Sequence, residues 1–500
     1  MVRKIRRRVI VNLLLFTDIL CYYLQGGCSM RIYLTNCIKI EEPTDVVRKF
    51  VKKELTFKNP EIEKRRRMGF YVYGMNKTVK LYNEYEGNLY TPIGFFNKLF
   101  NIHPHKEDYI DCTTQKKVKI DSDITLRNYQ TFGVDAIKKY YNGLFVLPCG
   151  LGKTELALEC ASQLGQKTIW LTHTRDLANQ ARERCEGKMH CKTSMVTDGV
   201  CDISGDIVFC TIQTLIKFIE REEIPQNAFG FLIADECHRV ASSPDTIQMF
   251  RTCIDYFSAS YKLGLTATLH RADGLEKCIT EIIGDVIYEV KKHGSEYNCM
   301  YEGKCLLKVP VAKFQVPAKI HFIRTNYDIA DKPVYSKNGG TIVYASLISN
   351  LSLDEDRNNI ILSKLKSLKG STIVLSDRVE QLKYLASKID NSVQIDGSTP
   401  KKIREQALDD VRCGNKKVLL ASYQLAKEGL DAPILENLVM ASPVKDFAIV
   451  TQSIGRIQRP FDNKKEANVY DFLDNVGMLY GFYAKRRSTY IKNGWKTCDY

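Results

Sequence analysis

At 500 residues the chain is too long for a single ordinary domain, and two or three are expected. Its 44% hydrophobic and 26% charged residues are the balance of a soluble globular protein with material for more than one core. A net charge of +15 and a pI near 8.9 point to an acidic partner, nucleic acid being the commonest, although a Lys-rich solvated surface gives the same figures. The seventeen cysteines lack paired spacing, which argues against a disulfide framework. Cys149, Cys160, Cys210 and Cys237 sit in or beside apolar runs, as buried reduced thiols do. Cys185, Cys191, Cys201 and Cys210 are spaced too loosely for zinc, and no structural metal is expected.

In chain order, the first 29 residues have a basic start and an apolar middle, "MVRKIRRRVIVNLLLFTDILCYYLQGG", which superficially resembles a signal peptide or anchor. Asn12 and Asp18 interrupt the apolar run, no small-residue cleavage site follows, and the run is too short to span a membrane. The preferred reading is a non-native upstream extension, with translation starting at Met30. Gln25-Gly26-Gly27 can be encoded by CAAGGAGGN, a purine-rich ribosome-binding sequence at a suitable distance, and other codons in the gene would sink the idea.

Residues 30–121 are rich in Tyr, Lys and Asn with short alternating segments, and read as a small α+β accessory module. From 122 to 290, "LFVLP", "KTIWLTH", "DIVFCTI", "FGFLIAD" and "YKLGLTAT" are short apolar runs separated by helical patterns. Near-continuous apolar strands alternating with helices indicate a parallel sheet covered on both faces. The rhythm lapses over 291–351, read as a linker or insertion. It resumes over 352–500 in "STIVLS", "SVQID", "KVLLAS", "NLVMAS" and "ANVYDF". The expected architecture is two α/β domains in tandem behind a small front module.

The first chemical signal is Pro148-Cys149-Gly150-Leu151-Gly152-Lys153-Thr154, between the strand "LFVL" and the amphipathic "ELALECASQL". Strand–loop–helix is the setting a phosphate-binding loop requires. Gly150 and Gly152 let backbone N–H groups turn toward phosphate oxygens at a helix N-terminus. Lys153 would neutralise the β- and γ-phosphates and Thr154 would hold Mg²⁺. The usual pattern has a glycine where Leu147 stands. The second signal is "FLIADECHR", which puts Asp235 and Glu236 just after a buried strand. Adjacent acids there suit a cation and an activated water: Asp235 for the metal, Glu236 for the water attacking the γ-phosphate.

"DECH" is similar to the Asp-Glu-x-His box of superfamily 2 helicases, and the other motifs of that group follow in order. "LRNYQ" resembles the segment whose glutamine, Gln130 here, reads adenine. "THTRDLANQ", with Thr174 and Arg175, and "TIQTL", with Gln213 and Thr214, resemble the first domain's nucleic-acid backbone contacts. Thr266-Ala267-Thr268, together with His238, resembles the element coupling ATP to the strand. "IVLSDRVEQL", "IDGST" and "ASYQLAKEGLDAP", with Gly429 and Asp431, match the second domain's series. "QSIGRIQRP" carries Gln452, Gly455, Arg456 and Arg459, and the family's final motif supplies its arginines, Arg456 and Arg459 here, as arginine fingers across the interdomain cleft. "LPCGLGKT", "DECHR", "TATLHRADG" and "GRIQRP" are closest in flavour to the xeroderma pigmentosum group B type and its bacterial and phage relatives, where the missing leading glycine is tolerated.

The resemblance implies two tandem RecA-like P-loop domains, ATP and Mg²⁺ as cofactors, and an ATP-dependent DNA helicase or translocase contacting backbone rather than bases. The alternatives are an RNA helicase or transcript-release ATPase of the same superfamily, and an ATP-switched DNA-binding remodeller that unwinds nothing. No membrane partner is implied, and the bacterial or phage-host cytoplasm is the expected location. In the front module, "EKRRRMGFYVYG" combines charge with aromatics, as strand-binding surfaces do and as solvated turns also can.

Overall fold

A run that is apolar at every position makes a stable strand only where both faces are covered, and the computed structural model of the chain builds each such run into the middle of a helix-covered sheet. Its described residues are 30–67, 71–148, 150–197, 199–238, 244–269, 276–329, 342–428 and 432–499. The extension expected at 1–29 lies outside them. Two compact units form, one from residues up to Lys291 with Asn298–Lys308, the other from Lys292–Tyr297 with Val309 onward. Among the described residues, no helix is long and apolar enough to cross a membrane.

The first unit is built on a ten-stranded sheet. Its central strands are parallel and lie in the order Thr193–Thr197, Ile207–Thr211, Thr168–Thr172, Phe231–Ala234, Tyr261–Thr266, Asn142–Val146. All five apolar runs expected there are strands, and Phe145, Trp170, Phe209, Ile233 and Leu263 on them are fully buried. Helices Lys153–Leu164, Arg175–Glu186, Ile212–Glu220 and Pro244–Tyr256 connect them. Parallel order brings the carboxyl ends of neighbouring strands to one edge, where ligands bind in such sheets.

The front module has its own five-stranded sheet, in the order Asn83–Tyr85, Asn88–Thr91, Ile38–Glu41, Arg31–Leu34, Tyr109–Asp111, with helices Asp45–Glu54 and Phe96–Ile102. Its apolar side shares one continuous core with Phe250, Ile254, Ile279 and Ile283 of the larger sheet's helices and with Phe257 just after one of them. At Gly94 the backbones approach so closely that a Cβ would lie 2.5 Å from the carbonyl oxygens of Thr280 and Glu281. Lys98 pairs with the buried Glu281, and Asn97 donates to Asp285 at 2.7 Å.

The second unit is a seven-stranded, all-parallel sheet ordered Ser392–Ile395, Val418–Ser422, Ser371–Ser376, Leu435–Met440, Ala467–Leu473, Ala318–Arg324, Lys496–Asp499. Two buried ion pairs, Arg357–Asp474 and Arg486–Asp471, tie helices Glu355–Ser367 and Gly477–Lys492 to the end of one strand. Residues 291–351, read from sequence as linker or insertion, contribute strands to both sheets: Glu296–Tyr301 and Lys304–Pro310 extend the first, and Ala318–Arg324 enters the second. In "AKIHFIR" the buried Ile320 and Phe322 alternate with Lys319 and His321, and the strand hides because His321 is itself buried, stacked on Tyr470 and bonded to Asn468.

Candidate functional site

The phosphate-loop sequence follows the strand Asn142–Val146 and opens the helix Lys153–Leu164. Gly150 and Gly152 have φ of 83° and 73°, the left-handed region that glycine enters without cost. Leu147 answers for its missing glycine: it is fully buried, and its N–H donates to Thr266 O at 3.0 Å, so this position still belongs to the sheet. Its carbonyl accepts from Lys153 Nζ at 3.3 Å. The loop is braced from the helix Asn128–Tyr140, where Gln130 Nε2 donates to the carbonyls of Leu151 and Gly152, and Tyr129 OH donates to Leu151 O. Gln130 Oε1 accepts from Arg127 N at 2.9 Å. The glutamine expected to read adenine thus also shapes the loop.

Asp235 and Glu236 follow the strand Phe231–Ala234, two strands from the loop's strand. Removal from water, with Glu236 beside it, holds the Asp235 carboxyl above the usual carboxylate range, while Lys153 and Arg184 pull it down. Glu236 has φ of 48°, a strained backbone for a residue with a Cβ, of the kind that collects at functional sites. Its Oε1 lies 3.7 Å from Lys153 Nζ and its Oε2 lies 3.2 Å from His238 Nδ1. The same His238 nitrogen is 3.1 Å from Thr266 Oγ1. His238 Nδ1 thus hydrogen-bonds to the Thr266 hydroxyl while lying close to the Glu236 carboxylate. Thr266 Oγ1 donates to Thr268 O and accepts from Thr268 N, and Ala267 between them is part-exposed.

In the first unit, other sites expected from sequence lie along the same strand edge. Thr174 caps the helix Arg175–Glu186 through Leu177 N, and Arg175 beside it is exposed. Thr211 caps Ile212–Glu220, with Gln213 exposed and Thr214 held by Thr211 Oγ1. In the second unit, Gln452 and Arg456 lie on the helix Phe447–Ile457 after the strand Leu435–Met440, and Arg459 follows its end. The side-chain oxygens of Thr451, Gln452 and Ser453 on that helix are buried without a hydrogen-bond partner among the described residues. Pro148 is half-buried and Leu151 buried. Cys149, Gly429 and Asp431 lie outside the described residues.

A magnesium-bound triphosphate fits what is present: hard oxygen donors on Thr154 and Asp235, an ammonium at Lys153, and two left-handed glycines freeing backbone N–H groups. Sequence reasoning missed Tyr129 and Arg184. Arg184 Nη1 reaches Thr154 Oγ1 at 3.3 Å, so a residue that reads as a solvated helix arginine lies beside the expected metal ligands.

Residues 123–271 match the family model described as type III restriction enzyme, res subunit, and residues 356–460 match the helicase conserved C-terminal domain. The chain is 27% identical over 409 residues to the DNA 3'-5' translocase XPB2 of Sulfurisphaera tokodaii, covering 76% of this chain and 88% of the relative. It is 24% identical to the DNA 3'-5' helicase XPB of Kineococcus radiotolerans, over 74% of this chain and 63% of the other. A relative from Acanthamoeba polyphaga mimivirus, named as an ATP-dependent RNA helicase, is 26% identical over 74% of this chain and 68% of its own. Among solved structures, Saccharomyces cerevisiae Dbp5 bound to RNA and ADP BeF3 shares the fold, with a TM-score of 0.52 at 14% identity, over 75% of this chain and 94% of that one.

Proposed function

The chain belongs to the superfamily 2 helicases, and on that footing we propose that it is an ATP-dependent DNA helicase or translocase that hydrolyses ATP at the Lys153–Glu236 site and moves along one strand. The observation that carries this reading is the gathering of Lys153, Thr154, Glu236, His238 and Thr266 at the carboxyl ends of three neighbouring strands. The two relatives named as 3'-5' enzymes support DNA as substrate and 3'-to-5' as direction.

In this mechanism the backbone N–H groups of Gly150 to Lys153 hold the phosphates, and Lys153 turns from Leu147 O and Glu236 toward the β–γ bridge. Glu236, freed of Lys153, orients the attacking water and accepts its proton. His238 links that carboxylate to Thr266, so a change at the γ-phosphate is felt in the Thr266–Thr268 turn. Mg²⁺ held by Thr154 and, through water, by Asp235 would neutralise charge on the phosphates. Arg456 and Arg459 are the second unit's charge-stabilising groups, with Gln452 beside them. Thr174, Arg175, Gln213 and Thr214 contact the strand's backbone, because a motor must tolerate every base sequence, and Gly429 and Asp431 belong to the second unit's nucleic-acid and coupling set.

The test combines nucleic-acid-stimulated ATPase with strand displacement on DNA and RNA duplexes carrying 3' or 5' tails. Stimulation by DNA and displacement from a 3' tail are expected, with Lys153→Ala and Glu236→Gln each lowering turnover at least about 100-fold. Stimulation by RNA alone would overturn the DNA reading. Stimulation without displacement from any duplex would leave the ATP-switched remodeller, and undiminished turnover in Glu236→Gln would refute the site itself.

A further inference from the structure

The reaction leaves unused an arm of the front module. Thr56–Lys58 pairs with Thr78–Lys80 as a two-stranded stem, closed at its base by Leu81 N donating to Leu55 O at 2.9 Å. The pleat turns Phe57 and Val79 toward the module's core and leaves Lys58, Thr78 and Lys80 exposed. Beyond the stem, Asn59 is buried and pins the start of the helix Pro60–Arg67 to the returning chain: its Nδ2 donates to Asn76 O and its Oδ1 accepts from Glu61 N. Among the described residues, the stem and the start of the helix are therefore fixed to one another.

Two of its features have no structural use. Tyr71 and Tyr73 are 82% and 87% exposed, with ring centroids 6.0 Å apart. Their planes are 32° apart, so they do not clasp a base between them, but each solvent-facing ring offers a face on which a base can stack. Between Thr56 and Lys80 there are also seven Lys and Arg against two Glu. Lys58, Arg66, Lys77 and Lys80 are exposed, and Arg65, also exposed, pairs with Glu61. Charge alone would serve any polyanion. Paired aromatic faces beside that charge select one whose bases are free to stack, because a duplex keeps its base faces covered.

We propose that the arm is a second binding site for single-stranded nucleic acid, with bases stacked on Tyr71 and Tyr73 and the backbone held by Arg66, Lys58, Lys77 and Lys80. The proposal rests on the nucleic-acid reading of the motor. Because the module shares its core with the first unit, the arm gives that unit a hold on the strand separate from the strand-edge residues.

The test is fluorescence anisotropy of labelled dT20, U20 and a blunt DNA duplex with the full chain, free of nucleotide, at several salt concentrations. Tyr71→Ala with Tyr73→Ala is expected to weaken single-strand binding by about tenfold or more while duplex binding and the thermal midpoint hold. Tyr71→Trp with Tyr73→Trp should retain single-strand affinity. Arg66→Ser should lower the slope of log affinity against log salt by up to about 0.7. A loss for dT20 alone or U20 alone supports the site and identifies the strand as DNA or RNA. Unchanged affinity for both strands, or an equal loss on the duplex, overturns the proposal. If no nucleic acid stimulates the wild-type ATPase, the motor reading falls, and anisotropy still decides the arm.

Discussion

Single residues around the phosphate loop show how far a motif can be read from its letters. The tail Gly150 to Thr154 was legible because glycine at a left-handed position, lysine and a hydroxyl are each required by phosphate chemistry. Leu147 was the puzzle, and its burial and its bond to Thr266 explain it without weakening the loop. The strained backbone of Glu236 and the reach of Arg184 to Thr154 were not legible, since neither follows from residue type. The two glycines are also unequal. At Gly150 an added Cβ meets open space, whereas at Gly152 it would lie 2.7 Å from Gln130 Nε2 and break the brace on the loop. Gly152→Ala is therefore expected to weaken binding of a fluorescent ADP by about tenfold more than Gly150→Ala, which carries only the backbone strain of roughly 1 kcal/mol. Equal losses would show that Gln130 does not brace the loop.

At the scale of elements, the docking of the front module depends on contacts that sequence does not announce. Gly94 sits in a short helical turn, and only the backbone it abuts makes glycine necessary. Gly94→Ala should part the module from the helix Glu276–Ile283, lowering stability by roughly 1–3 kcal/mol and exposing the junction to limited proteolysis. Lys262 is the second fastening. It is fully buried on the strand Tyr261–Thr266, and its Nζ donates to Asn36 O at 2.7 Å and Ile254 O at 2.8 Å. Burial pushes its pKa from 10.5 down to about 8, with Asp255 and Cys37 pulling it back up. Below pH 8 the ammonium is charged in folded and unfolded chains alike, and the cost of burying it is carried in full. Between about pH 8 and 10.5 the folded chain releases the proton first, so the contribution of Lys262 to stability rises with pH. Wild type should therefore gain up to about 3 kcal/mol on Lys262→Met across that window, measured from urea midpoints. A flat difference would remove the lysine from the account.

For the whole molecule, two parallel-sheet units, a basic surface and a strand edge lined with Thr174, Arg175 and Thr214 lead to one expectation about recognition. Contacts to backbone phosphates bind by releasing counterions, so the DNA concentration that half-activates the ATPase should rise linearly on a log–log plot with salt. Oligonucleotides of equal length and different sequence should agree within about threefold, and a spread above about tenfold would mean that base edges are read. The class of fold and the order of the motifs were available from the sequence by itself. Both are written in local patterns: apolar strands of a few residues, glycines at tight turns, acids at strand ends. The tertiary structure alone decided that Ala318–Arg324 belongs inside the second sheet, that Gly94 and Lys262 join module to motor unit, and that His238 bridges Glu236 and Thr266. Each of these joins residues distant along the chain, or depends on the exact distance between neighbouring backbones, and no local periodicity carries that information.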